Sequence, residues 1–150
     1  MKISNPLIRG FYSGLIAGII GGIAFTGFRT LDSMLGLWAI LGMPAVTSFD
    51  TIISVLGYSI GHQGIYGGIF GIIYFKFYNR IPGKGIEKGI VYGLIIGALT
   101  DIAYGTALLL IWVYAGIGQY FNESLGWIIS AFYQWLPYGI VLGVLYERLK

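Results

Sequence analysis

Cysteine is absent from the 150 residues, charge is scarce and histidine occurs once. Without cysteine the chain can form no disulfide, no thiolate metal site and no thiol nucleophile, and its redox compartment leaves no trace in the composition. Charged residues make up 10% and apolar residues 57%, against about 25% and about 45–50% in ordinary soluble domains. With a mean hydropathy of +0.80, there is too little polar surface to cover a water-soluble globule. The apolar residues fall in blocks long enough to cross a bilayer. An integral membrane protein is expected.

Catalytic signatures are missing too. There is no His-Glu-x-x-His, no phosphate loop and no paired-carboxylate motif on a helix, so hydrolytic metal and phosphoryl chemistry have no carrier. Ser54 and Ser59 share an apolar block with His62, but that is ordinary helical spacing with no oxyanion site attached. No enzyme activity is expected. The net charge of +3 comes from basic residues flanking apolar blocks, which is a topology signal and not a nucleic-acid surface.

What is present is glycine, 25 residues of it, and four apolar blocks. The first runs from Leu7 to Phe28 and carries Gly10, Gly14, Gly18 and Gly22. It is longer than a signal-peptide core and no small-x-small cleavage site follows, so it reads as a spanning helix. Thr30 to Asp50, with Leu31, Met34, Leu35, Trp38 and Leu41 at helical spacing and Pro44 near its end, suits an interfacial or re-entrant segment, or a loop packed on the bundle. Ser48 or Asp50 can cap the helix that follows. Helix 2 is expected from Thr51 to Phe75, helix 3 from about Gly89 to Val113 and helix 4 from about Gly126 to Tyr146.

Orientation follows from the basic residues. Lys2, Arg9, Lys76, Arg80, Lys84, Lys88, Arg148 and Lys150 fall on one side of this topology and only Arg29 on the other. Basic flanks stay inside, which places both termini in the cytoplasm.

Lys88 to Gly105 shows why the glycines matter. Gly89, Gly93 and Gly97 form one smooth stripe whose next positions are Asp101 and Gly105. In lipid no hydrophobic drive brings helices together, so close backbone approach across small residues has to hold them. The stripe also repeats. Arg9-Gly10-x-x-x-Gly14-Leu15-Ile16-x-Gly18 matches Lys88-Gly89-x-x-x-Gly93-Leu94-Ile95-x-Gly97 at a shift of 79 residues, which would put Asp101 in the place of Gly22. Tyr66-Gly67-x-x-x-Gly71-x-x-Tyr74 matches Tyr138-Gly139-x-x-x-Gly143-x-x-Tyr146 at a shift of 72. The fold expected is therefore all-α, a single membrane domain of four transmembrane helices. It is built as two parallel-repeat hairpins, about 7–78 and about 86–147, related by an axis along the membrane normal.

Few polar groups lie inside the membrane. Asp101 is 13 residues past Lys88 and His62 is 14 before Lys76, about 20 Å in either case at 1.5 Å per residue. The short basic turn between helices 2 and 3 suggests antiparallel neighbours, so a His62–Asp101 hydrogen bond or ion pair is one expectation. Such a pair would either lock helix register or carry a proton, with Tyr66 and Tyr104 one turn along extending a relay. Pro137 should kink helix 4 beside Gln134, Trp135 and Tyr138, shaping packing or lining a cavity at that depth.

No cofactor is required. A haem held by His62, with Met43 or a partner's residue as second ligand, is the remaining alternative. For function two readings stand: a non-catalytic homo-oligomer or accessory subunit of a membrane complex, and a small channel or proton-coupled transporter using His62 and Asp101. The partners expected are the lipid bilayer and other membrane subunits or copies of the chain.

Overall fold

The computed structural model describes residues 3–36, 45–116 and 119–150, without the side chains of 119, 120 and 122. Among the described residues all regular structure is helical. The helices are α1 (Pro6–Met34), α2 (Phe49–Phe77), α3 (Ile86–Ala115) and α4 (Gln119–Arg148). α1, α3 and the Glu123–Arg148 part of α4 are long and apolar enough to cross a membrane. α2 matches α1 in length at 29 residues, but Ser59, His62 and Gln63 interrupt the middle of its apolar run.

Local chemistry sets the ends. Asn5 caps α1, its Oδ1 accepting from the Leu7 and Ile8 amides at 2.9 and 3.3 Å ahead of a first turn that begins with Pro6. Ser48 caps α2 by accepting from the Thr51 amide at 3.2 Å. Gly116, in the left-handed region at φ 68°, ends α3 and returns its amide to the Trp112 carbonyl.

α1 runs on to Met34, beyond the Phe28 expected, and absorbs the start of the segment that had been assigned to the interface. The reason is local: Leu31 and Met34 keep the helical spacing, and the Ser33 hydroxyl donates to the Arg29 carbonyl within the same helix at 2.8 Å. That hydroxyl also accepts from the Val46 amide at 3.0 Å, tying the entry of α2 to the end of α1. The middle of that segment, residues 37–44 with Trp38, Met43 and Pro44, lies outside the described residues.

Glycine decides which helices touch. A Cβ on Gly14 would fall on the Gly67 carbonyl, one on Gly18 on the Gln63 carbonyl, and one on Gly22 on that of Ser59, so α1 lies backbone to backbone on α2. On the other side of the bundle Gly89 meets Gly139 and Gly143, and Gly93 meets Gly139 and the Trp135 carbonyl, which brings α3 equally close to α4. A second small stripe on α1, Ser13, Ala17 and Gly21, is buried, and at Gly21 it meets the Gln134 carbonyl and Tyr138 of α4. α1 is therefore the helix with two smooth faces, packed on both α2 and α4.

α2 and α3, expected as packed neighbours, are held apart. Their glycine faces are already used by α1 and α4, and the faces left to each other carry large rings. The Tyr92 hydroxyl reaches across to the Phe70 carbonyl at 2.7 Å, and the Tyr74 and Tyr92 rings lie 5.0 Å apart. Rings keep backbones at a distance, and the gap they leave holds the site described below.

Both termini meet at one end of the bundle, where the Ile3 amide donates to the Leu149 carbonyl at 3.0 Å. Aromatic and basic groups close that end. The Arg9 guanidinium lies 4.7 Å from the Tyr146 ring, and the Lys88 ammonium donates to the Tyr78 carbonyl at 2.6 Å while sitting 4.1 Å from the Tyr78 ring. Tyr74, Tyr138 and Tyr146, with at most 2% of their surface accessible, fill the layer just above.

Candidate functional site

Between α2 and α3, in the half of the bundle away from the termini, lies a cavity of about 540 Å³ to which all four helices contribute. Its size is within the range of small-molecule sites. α2 supplies one wall with Ser54, Tyr58, His62, Tyr66 and Phe70, every fourth residue, so that one stripe of the helix faces the gap. α3 supplies Thr100 and Asp101, α4 supplies Trp127, Ser130, Gln134 and Trp135, and α1 adds Phe25 and Arg29.

Asp101 owes its place to a break in the helix. The α-helical ladder of α3 gives way to a π-helical turn at Ala98–Ile102 before it resumes at Ala103. Such a turn carries extra backbone per turn and re-aims the side chains on it, a device that recurs at functional sites. Asp101 is 6% exposed, and its Oδ2 accepts from the Trp135 indole at 3.0 Å. Trp135 is fixed in turn by edge-on packing against Phe70 and Tyr138, with centroids 5.4 Å away in both cases.

His62 does not meet Asp101 through a hydrogen bond or ion pair. Its ring lies between Tyr58 and Tyr66, at centroid distances of 5.3 and 4.5 Å along the exposed edge of α2. The two residues thus border the same cavity with different partners. The gap between α2 and α3 is what separates them.

Of the other positions singled out from the sequence, Tyr66 and Gln134 line the cavity. Tyr104 does not: it is 52% exposed and packs edge-on against Trp127 at 4.9 Å. Pro137 stands inside α4 and, with Tyr133, Phe28 and Ile140, borders a separate, apolar depression of about 500 Å³. Tyr138, expected beside Gln134, points into the core instead and donates to the Gly67 carbonyl at 3.1 Å. Arg29, the one basic residue expected at the far end, lines the cavity.

Gln63 is the residue that sequence reading passed over. It lines the cavity, is 4% exposed, and its Oε1 is buried without a hydrogen bond from the described residues. The signal was available, since a glutamine beside a histidine in the middle of an apolar helix is a polar group that burial makes costly. Ser130 and Trp127 carried no such signal, because serine and tryptophan are common in membrane helices.

Among the described residues no three His, Asp or Glu side chains gather as a metal site. The haem alternative rests on His62, whose ring faces are occupied by Tyr58 and Tyr66, and on Met43, which lies outside the described residues. The cavity offers a largely aromatic and apolar lining with a carboxylate, amides and hydroxyls set into it, a surface that can hold a small solute with a polar head. No protein-family model matches the chain, and no curated protein or solved structure matches it.

Proposed function

We propose that this chain is a non-enzymatic, four-span membrane protein that binds a small polar solute in the cavity between α2 and α3, as a carrier or as the solute-binding subunit of a larger membrane complex. The observation that carries this reading is the convergence of all four helices on one largely apolar cavity whose wall holds His62, Asp101 and Gln134, in a chain otherwise poor in polar groups. Burying a carboxylate and an amide in a membrane bundle is costly, and such groups mark solute or ion pathways when they face a cavity. α2 joins the spans in this reading, its polar stripe facing the cavity and its glycine face covered by α1.

In this reading the bundle is two related hairpins with the termini in the cytoplasm. Glycine contacts support the relation: Gly14 lies on Gly67 and Gly71 as Gly89 lies on Gly139 and Gly143, and Gly18 lies on the Gln63 carbonyl as Gly93 lies on that of Trp135. The second helices then correspond at 72 residues, but the first helices at 75, one helical turn short of the 79 that the sequence match suggests. Gly97, and not Asp101, becomes the counterpart of Gly22. The two hairpins also meet unequally. α1 and α4 pack closely while α2 and α3 stand apart, so the cavity occupies the looser of two related interfaces. The tyrosine layer of Tyr74, Tyr92 and Tyr138 closes it toward the basic end, and the solute enters from the side opposite the termini.

Self-association is a second reading, favoured by Gly57 and Gly61 on α2, where an added Cβ would meet nothing within 4 Å. A second copy covering that face would make the chain a subunit of a homo-oligomer and leave the cavity reading intact.

Thermal unfolding of the purified protein in detergent, against a library of small cationic, anionic, zwitterionic and neutral solutes, tests the solute site. At least one class is expected to raise the melting temperature, because a ligand that binds only the folded state stabilises it by mass action. Ser130→Trp, which fills the cavity, should abolish that shift. No shift from any class, or an equal shift in the filled variant, would overturn the reading.

A further inference from the structure

Resting on the solute-site reading, we infer that the cavity selects a small organic cation with an ammonium head and an apolar body. Two features of the cavity ask for the same ligand chemistry, the Asp101 carboxylate and the aromatic lining around it. Asp101 is a buried carboxylate whose hydrogen-bond donor, the Trp135 indole, is uncharged. A carboxylate removed from water is stabilised far more by a cation than by neutral donors, and an ammonium group brings both charge and donors.

The aromatic lining fits the same head and body. Tyr66, Phe70, Trp127 and Trp135 present rings to the cavity, and ring faces attract cations, ammonium included, where water is excluded. The α2–α3 gap is open along Tyr58, His62 and Tyr66, all of them exposed, so an apolar body can lie along the aromatic stripe while the head reaches Asp101. Arg29 and His62 border the same cavity.

Isothermal titration of the purified, detergent-solubilised protein with phenethylammonium, 2-phenylethanol and 3-phenylpropionate tests this directly, because the three probes share a body and differ in head charge. Phenethylammonium is expected to bind at least about 10-fold tighter than 2-phenylethanol, the scale of one charge-assisted contact, and 3-phenylpropionate weakest of the three. Asp101→Asn should erase the preference and Asp101→Glu should keep it. Asp101→Glu guards against misfolding, since it retains the charge. Equal binding of all three probes, or tighter binding of the alcohol or carboxylate, overturns the cation assignment while upholding a solute site. A preference for ammonium that survives in a folded Asp101→Asn protein overturns the role of Asp101. No binding of phenethylammonium overturns the cation assignment, and the solute library then decides the broader reading separately.

Discussion

Gly14→Ala and Gly139→Ala are each expected to destabilise the bundle by about 3 kcal/mol, whereas Gly61→Ala should be neutral or stabilising by about 0.5 kcal/mol. All three changes add the same methyl group to a helix. At Gly14 it falls on the Gly67 carbonyl and the Gly71 backbone, and at Gly139 on the Gly89 carbonyl. Backbone cannot swing aside as a side chain can, so the helices must separate, and dispersion and weak C–H to carbonyl contacts are lost along the whole seam. At Gly61 nothing lies within 4 Å, and alanine only gains helix propensity. Reversible unfolding in mixed detergent, read by circular dichroism, measures the difference. Equal effects at the three positions would show that glycine acts through propensity alone and that the seams are not the source of cohesion.

Trp135→Ala should cost about 3–5 kcal/mol, the range for removing a large buried aromatic side chain. Trp135 is 5% exposed, packs edge-on against Phe70 and Tyr138 and donates its indole N–H to Asp101. Its loss opens the floor of the cavity and leaves the carboxylate with one donor fewer. Trp135→Phe keeps most of the packing and removes only the donor, so about 1–2 kcal/mol is expected. Combined with Asp101→Leu, that variant should show a coupling of about 1 kcal/mol in a double-mutant cycle. Additive effects would mean that the indole–carboxylate bond contributes nothing beyond packing.

Much of the fold was legible because its cause is local and periodic. The helical blocks, the cap at Ser48 and the glycine stripes follow from spacing and residue type alone. Register was less so. A ladder of glycines every four residues matches itself almost as well after a slip of one turn, which is why the sequence match between the first helices of each half differs from the contact match by four residues. Only side chains on the facing helix, such as Gln63 and Trp135, break that degeneracy, and a one-dimensional comparison does not see them.

The site was half legible. Depth along each helix placed His62, Asp101 and Gln134 at one level, and the structure brings all three to one cavity. Their rotation was not readable. Whether His62 faces Asp101 depends on which faces of α2 and α3 are taken up by glycine contacts with α1 and α4, and those contacts turn the two residues to opposite walls of a gap. The π-helical turn that aims Asp101 has no marker in the sequence, since alanine, leucine, threonine and isoleucine around it are ordinary helix residues. Tyr104, one turn further on, was expected to follow Asp101 and instead faces outward beside Trp127.

The absence of cysteine makes the central claim directly measurable, because single cysteines can be labelled without background. Ser54→Cys and Ser130→Cys lie on the cavity wall, Ile69→Cys on the exposed apolar face of α2, and Lys84→Cys in the basic turn. A membrane-impermeant maleimide applied to intact cells is predicted to label Ser54→Cys and Ser130→Cys, and to reach Lys84→Cys only after the membrane is opened, with Ile69→Cys inert throughout. If Ser130→Cys proved as inert as Ile69→Cys, or reacted only from the side of Lys84→Cys, the cavity would not be a solute site open opposite the termini.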